Sequence, residues 1–263
     1  MRDHCPLLLL TATLACAREC TIKDIGAAYD LEGCATLDLT NEKIGDAGAT
    51  ALAAAINGST ALGTLTLRGA AIGDDGVKHL CESLPTSKVT GLVLSENENI
   101  GPSGLMALAA LLASNSALET LHLSHIAVGD QGALALAEGL SSSNTVLVTL
   151  GLVDASIGDK GARALAGALV FNSMLTALLL DGNTVGDEGA RQLAMALEKN
   201  AALQSLSLNF NTIGNAGGRA LAKALRDSKA SALHALGLVG NALTHNVYRD
   251  TQTVVDARRK EEL

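Results

Sequence analysis

Apolar residues in this chain follow two alternating rhythms. In Leu178-Leu179-Leu180 the spacing is that of a strand, with Leu178 and Leu180 on one face and Leu179 on the other. In Ala190, Leu193, Ala194 and Leu197 the spacing is three or four, which lays one apolar stripe along a helix. Between strand and helix stands a Gly-x-x-Gly step. It recurs at Gly45/Gly48, Gly73/Gly76, Gly101/Gly104, Gly129/Gly132, Gly158/Gly161, Gly186/Gly189 and Gly214/Gly217. Successive first glycines are 28, 28, 28, 29, 28 and 28 residues apart. A fixed period of this size predicts a solenoid, in which each unit buries its apolar face only against its neighbours.

Aligned on the strands, the chain has eight units whose middle leucines are Leu37, Leu65, Leu92, Leu121, Leu150, Leu178, Leu206 and Leu236. The third unit holds one extra residue between Leu94 and Ile100, so a bulge is expected near Glu96 to Asn99. The first Gly of each step is expected to take a backbone angle denied to other residues. The Asp that follows it in most units is placed to cap the helix it begins, where it also favours the positive end of the helix dipole.

The text Leu-x-x-Leu-x-Leu-x-x-Asn-x-Ile-Gly-x-x-Gly-Ala-x-x-Leu-Ala-x-Ala-Leu, fullest over 175–197 and 203–225, resembles the ribonuclease-inhibitor-like class of leucine-rich repeats. The resemblance covers roughly Cys34 to Leu243. It implies an α/β fold: a right-handed horseshoe of about eight repeats, a parallel sheet on the concave face and helices on the convex face. The family's Asn ladder stands at Asn97, Asn183, Asn211 and Asn241. It is missing at Glu42, Ala70, Ile126 and Ala155, where the turn must satisfy its backbone groups in another way.

The ends depart from the repeat. Residues 1–33 read as an N-terminal apolar segment and cap, within which 1–17 has the shape of a secretory leader: Arg2, an apolar run from Pro6 to Ala17, and a small-residue tripeptide Ala15-Cys16-Ala17. The repeat domain is expected over 34–243 and a C-terminal capping helix over 244–263. Two further signals accompany the leader: the ending Lys260-Glu261-Glu262-Leu263, close to an endoplasmic-reticulum retrieval address, and an Asn57-Gly58-Ser59 sequon. Against them, Cys5, Cys16, Cys20, Cys34 and Cys81 are too few and irregular for a disulfide framework, and an odd count suits reduced thiols. The expected location is therefore cytoplasmic, with the endoplasmic-reticulum lumen as the alternative.

Composition removes several functions. A net charge of -8, without a basic stripe, argues against nucleic acid as a partner. The leader-like run is too short for a membrane span, so no membrane insertion is expected. There is no Walker loop, nucleophile elbow, zinc-protease helix or dinucleotide fingerprint, and the glycines fall at the repeat period rather than around a phosphate. No catalytic residue, cofactor or metal is expected, and the chain is expected to be monomeric.

Chemistry is left to the exposed rows of the sheet. One row reads Asp38, Thr66, Val93, His122, Gly151, Leu179, Ser207, Gly237; a second reads Thr40, Arg68, Ser95, Ser124, Val153, Asp181, Asn209, Val239. At the turn edge come Asn41, Gly69, Glu96, His125, Asp154, Gly182, Phe210 and Gly240. Strands about 4.8 Å apart make Glu96, His125 and Asp154 consecutive rungs, a solvated charge cluster with His125 between two carboxylates. Aromatic and Arg side chains anchor interfaces, and here only Phe210 and Arg68 qualify. Arg68, Glu96, His122, His125, Asp154, Asp181, Asn209 and Phe210 are thus the candidate binding residues for a protein partner. The expected function is a non-enzymatic interaction scaffold. The alternatives are a GTPase activator built on such repeats, or a piece of a larger signalling or cytoskeletal protein; ribonuclease inhibition would need a more acidic face.

Overall fold

The computed structural model describes residues 18–21, 31–114, 117–142 and 146–261. Nine strands, β1 (Arg18–Cys20), β2 (Cys34–Asp38), β3 (Thr64–Thr66), β4 (Gly91–Val93), β5 (Thr120–His122), β6 (Thr149–Gly151), β7 (Ala177–Leu179), β8 (Ser205–Ser207) and β9 (Ala235–Gly237), form one open sheet in sequence order. Every neighbouring pair is parallel. Eight helices alternate with them: α1 (Gly45–Ile56), α2 (Asp74–Ser83), α3 (Pro102–Ser114), α4 (Gly129–Ser142), α5 (Asp159–Leu169), α6 (Asp187–Leu197), α7 (Asn215–Asp227) and α8 (His245–Glu261). The leucine pattern sets the register, since Leu37, Leu65, Leu92, Leu121, Leu150, Leu178, Leu206 and Leu236 pair rung to rung. All eight are buried between the sheet and the apolar stripes of the helices.

Arg18–Cys20, within the segment expected as an N-terminal cap, adds a ninth strand paired with β2. Two expectations need correction here. Cys20 and Cys34, read as reduced thiols, form a disulfide that ties β1 to β2, both residues fully buried. The third unit has no strand bulge: β4 keeps register with both neighbours, and the extra residue is taken up in the turn at Glu98 and Asn99. Among the described residues no helix is long and apolar enough to cross a membrane. The leader-like segment 1–17 lies outside them, as do the last two residues of the retrieval-like ending.

The aspartates act across repeats, not within them. None of the helices begun by Gly73, Gly158, Gly186 or Gly214 has a side-chain cap from its own residues. Instead Asp159 Oδ1 accepts hydrogen bonds from Gly186 N at 2.7 Å and Gly189 N at 2.8 Å, in the next repeat. Asp46, Asp74, Asp130 and Asp187 do the same for the Gly pairs 73/76, 101/104, 158/161 and 214/217. The second glycine of each step makes room for that carboxylate: a Cβ on Gly189 would lie 2.8 Å from Asp159 Oδ1. Where an Asp serves it, the first glycine stays out of the left-handed region, with φ of -112° at Gly73 and -103° at Gly186. Only Gly45 and Gly129 among these take the left-handed angle expected of all.

Gly129 is left-handed because Pro102 stands where five of the other six steps carry Asp and the last carries Asn215. The Gly129 N–H turns instead to Ala155 O at 2.9 Å. At the same junction a groove of about 650 Å³ opens between α3 and α4, lined by apolar residues including Met106 and Leu134. Pro102→Asp is expected to supply the missing acceptor to Gly129 and Gly132 and raise stability by roughly 1–2 kcal/mol. A urea midpoint unchanged or lowered by this substitution would show that the staple is not what the junction lacks.

The Asn ladder reaches the other way. Asn183 accepts from Ala155 N at 3.1 Å and Ile157 N at 2.9 Å and donates to Leu152 O and Leu180 O, thereby completing the preceding turn that has no Asn of its own. Asn97 does this for Ile72 and Leu67. At the far end α8 lies over the last repeat, burying Val255 and Thr251, while Arg258 donates to the carbonyls of Leu225, Ser231 and Ser228.

Candidate functional site

The turn edge is built by one backbone conformation repeated in eight units. Asn41, Gly69, Glu96, His125, Asp154, Gly182, Phe210 and Gly240 all have φ between 49° and 75°. In each unit but the last, the N–H of this residue donates to a carbonyl one repeat on: Glu96 N to Ser124 O, His125 N to Val153 O, Asp154 N to Asp181 O, Phe210 N to Val239 O. The left-handed angle turns the chain from strand toward helix and sets the side chain on the rim. Three rungs are glycine, for which the angle is free of strain, and five are not. A non-glycine residue there costs about 1 kcal/mol, least for Asn.

Side chains along this rim lean over the next rung. A Cβ on Gly182 would collide with the Asp154 carboxylate, and one on Gly240 with the Phe210 ring. Phe210 remains 65% exposed in that posture. The three titratable rungs are consecutive, with His125 near enough to Glu96 to act on its carboxyl as well as standing beside Asp154. Glu96 is bound to the Arg68 guanidinium, while His125 Nδ1 stands 3.5 Å from Asp154 Oδ2. The hydrogen bond from Arg68 holds the Glu96 carboxyl below its ordinary pKa, against a smaller opposing effect of desolvation.

Asp181 and Asn209 make a separate polar group. Asp181 Oδ1 accepts from Ser207 Oγ at 2.6 Å and Asn209 N at 2.8 Å, and Asn209 Oδ1 accepts from Val239 N at 2.9 Å. Phe210 follows directly on this group. His122 stands apart from the rim. It is half-buried on β5, its ring fills the space a Cβ on Gly151 would need, and desolvation lowers its pKa. Among the described residues no group of three His, Cys, Asp or Glu is arranged to hold a metal.

The groove between α3 and α4 was not among the expected surfaces. Met106 is 66% and Leu134 42% exposed on its rims. The signal in the sequence is Pro102 in place of Asp, together with Met106 and Leu134 at a position that holds Thr50, Lys78, Arg163, Arg191 and Arg219 in the other repeats.

The family model for the leucine-rich repeat matches residues 87–109, 114–137, 143–166, 171–194 and 199–222. No curated protein sequence matches the chain. Among solved structures it is similar to leiomodin-1 actin-binding site 2, with 22% identity over 51% of this chain and 75% of that one, at a TM-score of 0.43. It is also similar to the Caenorhabditis elegans tropomodulin C-terminal domain, with 11% identity over 72% and 94% of the two chains, at a TM-score of 0.49. The five matched repeats lie within the strand-and-helix stack described above. With nine parallel strands, eight of them in one register, and a helix after nearly every strand, the chain has the fold of a leucine-rich-repeat solenoid.

Proposed function

We propose that this chain is a non-enzymatic interaction scaffold of the ribonuclease-inhibitor-like class, and that a protein partner docks along the turn edge from Arg68 to Phe210. The observation that carries this is the presence of Glu96, His125, Asp154 and Phe210 at left-handed positions. Gly69, Gly182 and Gly240 fill the same position without strain, so fold stability gives no reason for the larger side chains. Strain held where the surroundings do not need it is characteristic of binding surfaces. Phe210 is the anchor, since an exposed aromatic beside the Asp181–Asn209 group offers apolar area with a polar rim. Arg68 and Glu96, and His125 and Asp154, set charge complementarity along the approach. A GTPase-activating reading needs a cation able to reach a transferring phosphoryl group, and Arg68 is engaged by Glu96.

Phe210→Gly separates binding from folding. Its stability is expected to stay within about 1 kcal/mol of the parent, because relief of the left-handed strain offsets lost contacts and the freedom of glycine in the unfolded chain. Partner affinity is expected to fall roughly 30-fold, the loss of one hot-spot side chain of about 2 kcal/mol. The measurement is cross-linking capture from cell extract by parent and variant side by side, followed by affinity titration of the captured protein. Actin, for which the leiomodin-1 site is named, is included as one test protein. Equal capture and affinity for parent and variant would remove Phe210 and the turn edge from the reading.

A further inference from the structure

Two features outside the turn edge point to the compartment in which this chain matures and to a covalent modification there. Asn57-Gly58-Ser59 is the single Asn-x-Ser/Thr sequence in 263 residues. The structure places Asn57 exposed at the C-terminal end of α1, followed by a turn in which Gly58 N donates to Ala55 O and Ser59 N to Ile56 O. This is the opposite end of the helix from the turn edge, so a large substituent there leaves that edge uncovered.

The asparagines in the corresponding loops of later repeats are differently placed. Asn172 and Asn200 are buried, at 6% and 3% exposure, and their side-chain nitrogens are held by the carbonyls of Leu140 and of Leu169 and Asn172. They occupy the position of Ser59, whose Oγ accepts from Leu62 N as Asn172 Oδ1 accepts from Leu175 N. Asn57 Nδ2 reaches only Ser83 Oγ, at 3.4 Å, and Asn57 Oδ1 accepts from Thr86 Oγ1. Its amide nitrogen is thus on the surface and weakly held, and the sequon is not a by-product of the repeat's own buried Asn.

The disulfide is the independent observation. Cys20 and Cys34 lie 5.7 Å apart between Cα atoms, on paired strands, both fully buried. Disulfides persist in oxidising compartments and are rare in the cytosol, where thiols are kept reduced. Cys81 does not compete for them. It is partly covered, and burial pushes its pKa up to about 12, which leaves little thiolate for exchange.

We propose that the chain matures in the secretory pathway, with Cys20–Cys34 closed and an N-linked glycan on Asn57. Closing the disulfide passes two electrons and two protons from the thiols to a dithiol–disulfide oxidoreductase. Glycan transfer forms a bond between Asn57 Nδ2 and the anomeric carbon of a lipid-linked oligosaccharide. That carbon's bond to the donor pyrophosphate breaks, and the amide gives up one proton.

The test expresses the full 263-residue chain, tagged at its C-terminus, in a eukaryotic host. Recovered protein is run before and after digestion with a peptide N-glycosidase, and its peptides are mapped without reduction. The expected result is one downward shift on digestion, conversion of Asn57 to Asp in the digested peptide, and a linked peptide pair holding Cys20 and Cys34. Ser59→Ala, which leaves Asn57 in place and removes the acceptor sequence, is expected to abolish the shift. An Asn57 peptide of unmodified mass in the recovered chain overturns the proposal, whether or not the disulfide is found.

Discussion

Asn183→Ala is expected to destabilise the solenoid by about 4 kcal/mol, since several buried backbone groups lose their partner at once. Asn183 is 4% exposed, and its two side-chain atoms serve Ala155 N, Ile157 N, Leu152 O and Leu180 O. Water cannot reach these groups to replace it, so the desolvation of each counts nearly in full. The preceding turn is dependent on it, because position 155 is Ala and offers no polar side chain. Urea unfolding of parent and variant checks this. Since solenoid repeats interact only with neighbours, the damage is also expected to lower the m-value, as the two sides of the break begin to unfold separately. Asn241→Ala, at a less buried turn near the end of the sheet, is expected to cost less than half as much. A loss below about 1 kcal/mol at Asn183 would mean that the turn relaxes and finds other partners.

Asp159→Ala is the second large effect, about 3 kcal/mol. The carboxylate takes two charge-assisted hydrogen bonds, from Gly186 N and Gly189 N, each stronger than a neutral one. It also sits against the start of α6, where negative charge is favoured. The control is Asp75→Ala: that acid lies one residue beyond the staple Asp74, is exposed, and pairs only loosely with Lys78 at 3.4 Å. Its removal is expected to change stability by less than about 0.5 kcal/mol. Asp159→Asn keeps an acceptor oxygen and is expected to recover roughly half of the loss. Equal effects from Asp159→Ala and Asp75→Ala would show that the acids act through net charge and not through the staple.

The register of the sheet was legible from the leucines alone, because a period-two strand with one buried face has a single way to align with its copy. The glycine and aspartate roles were not. A carboxylate one residue after Gly186 can in principle cap its own helix or the next, and only the stacking distance between repeats makes the second better. The same stacking removes the need for a left-handed first glycine, which is why Gly186 is extended and Gly129 is not. The rungs of the candidate site stand in the order the strands give them, and what the row pattern left out is that Arg68, next to the turn position of the preceding unit, binds Glu96. The disulfide escaped notice because Cys20 lies in a strand whose sequence does not carry the repeat.

The two staples run in opposite directions along the stack, and a ribosome makes the chain in only one. Each aspartate is synthesised before the helix it caps, so a new helix emerges to find its acceptor already held in folded structure. Each ladder asparagine arrives after the turn it completes, so the repeat before Asn97, Asn183, Asn211 or Asn241 has an open turn until that residue appears. Growth is therefore templated from behind and sealed from ahead, one repeat at a time. The junction at Pro102 is the exception: α4 emerges with no acceptor waiting. A pause in translation is best tolerated beyond this junction, once Asn183 has closed the turn at Ala155.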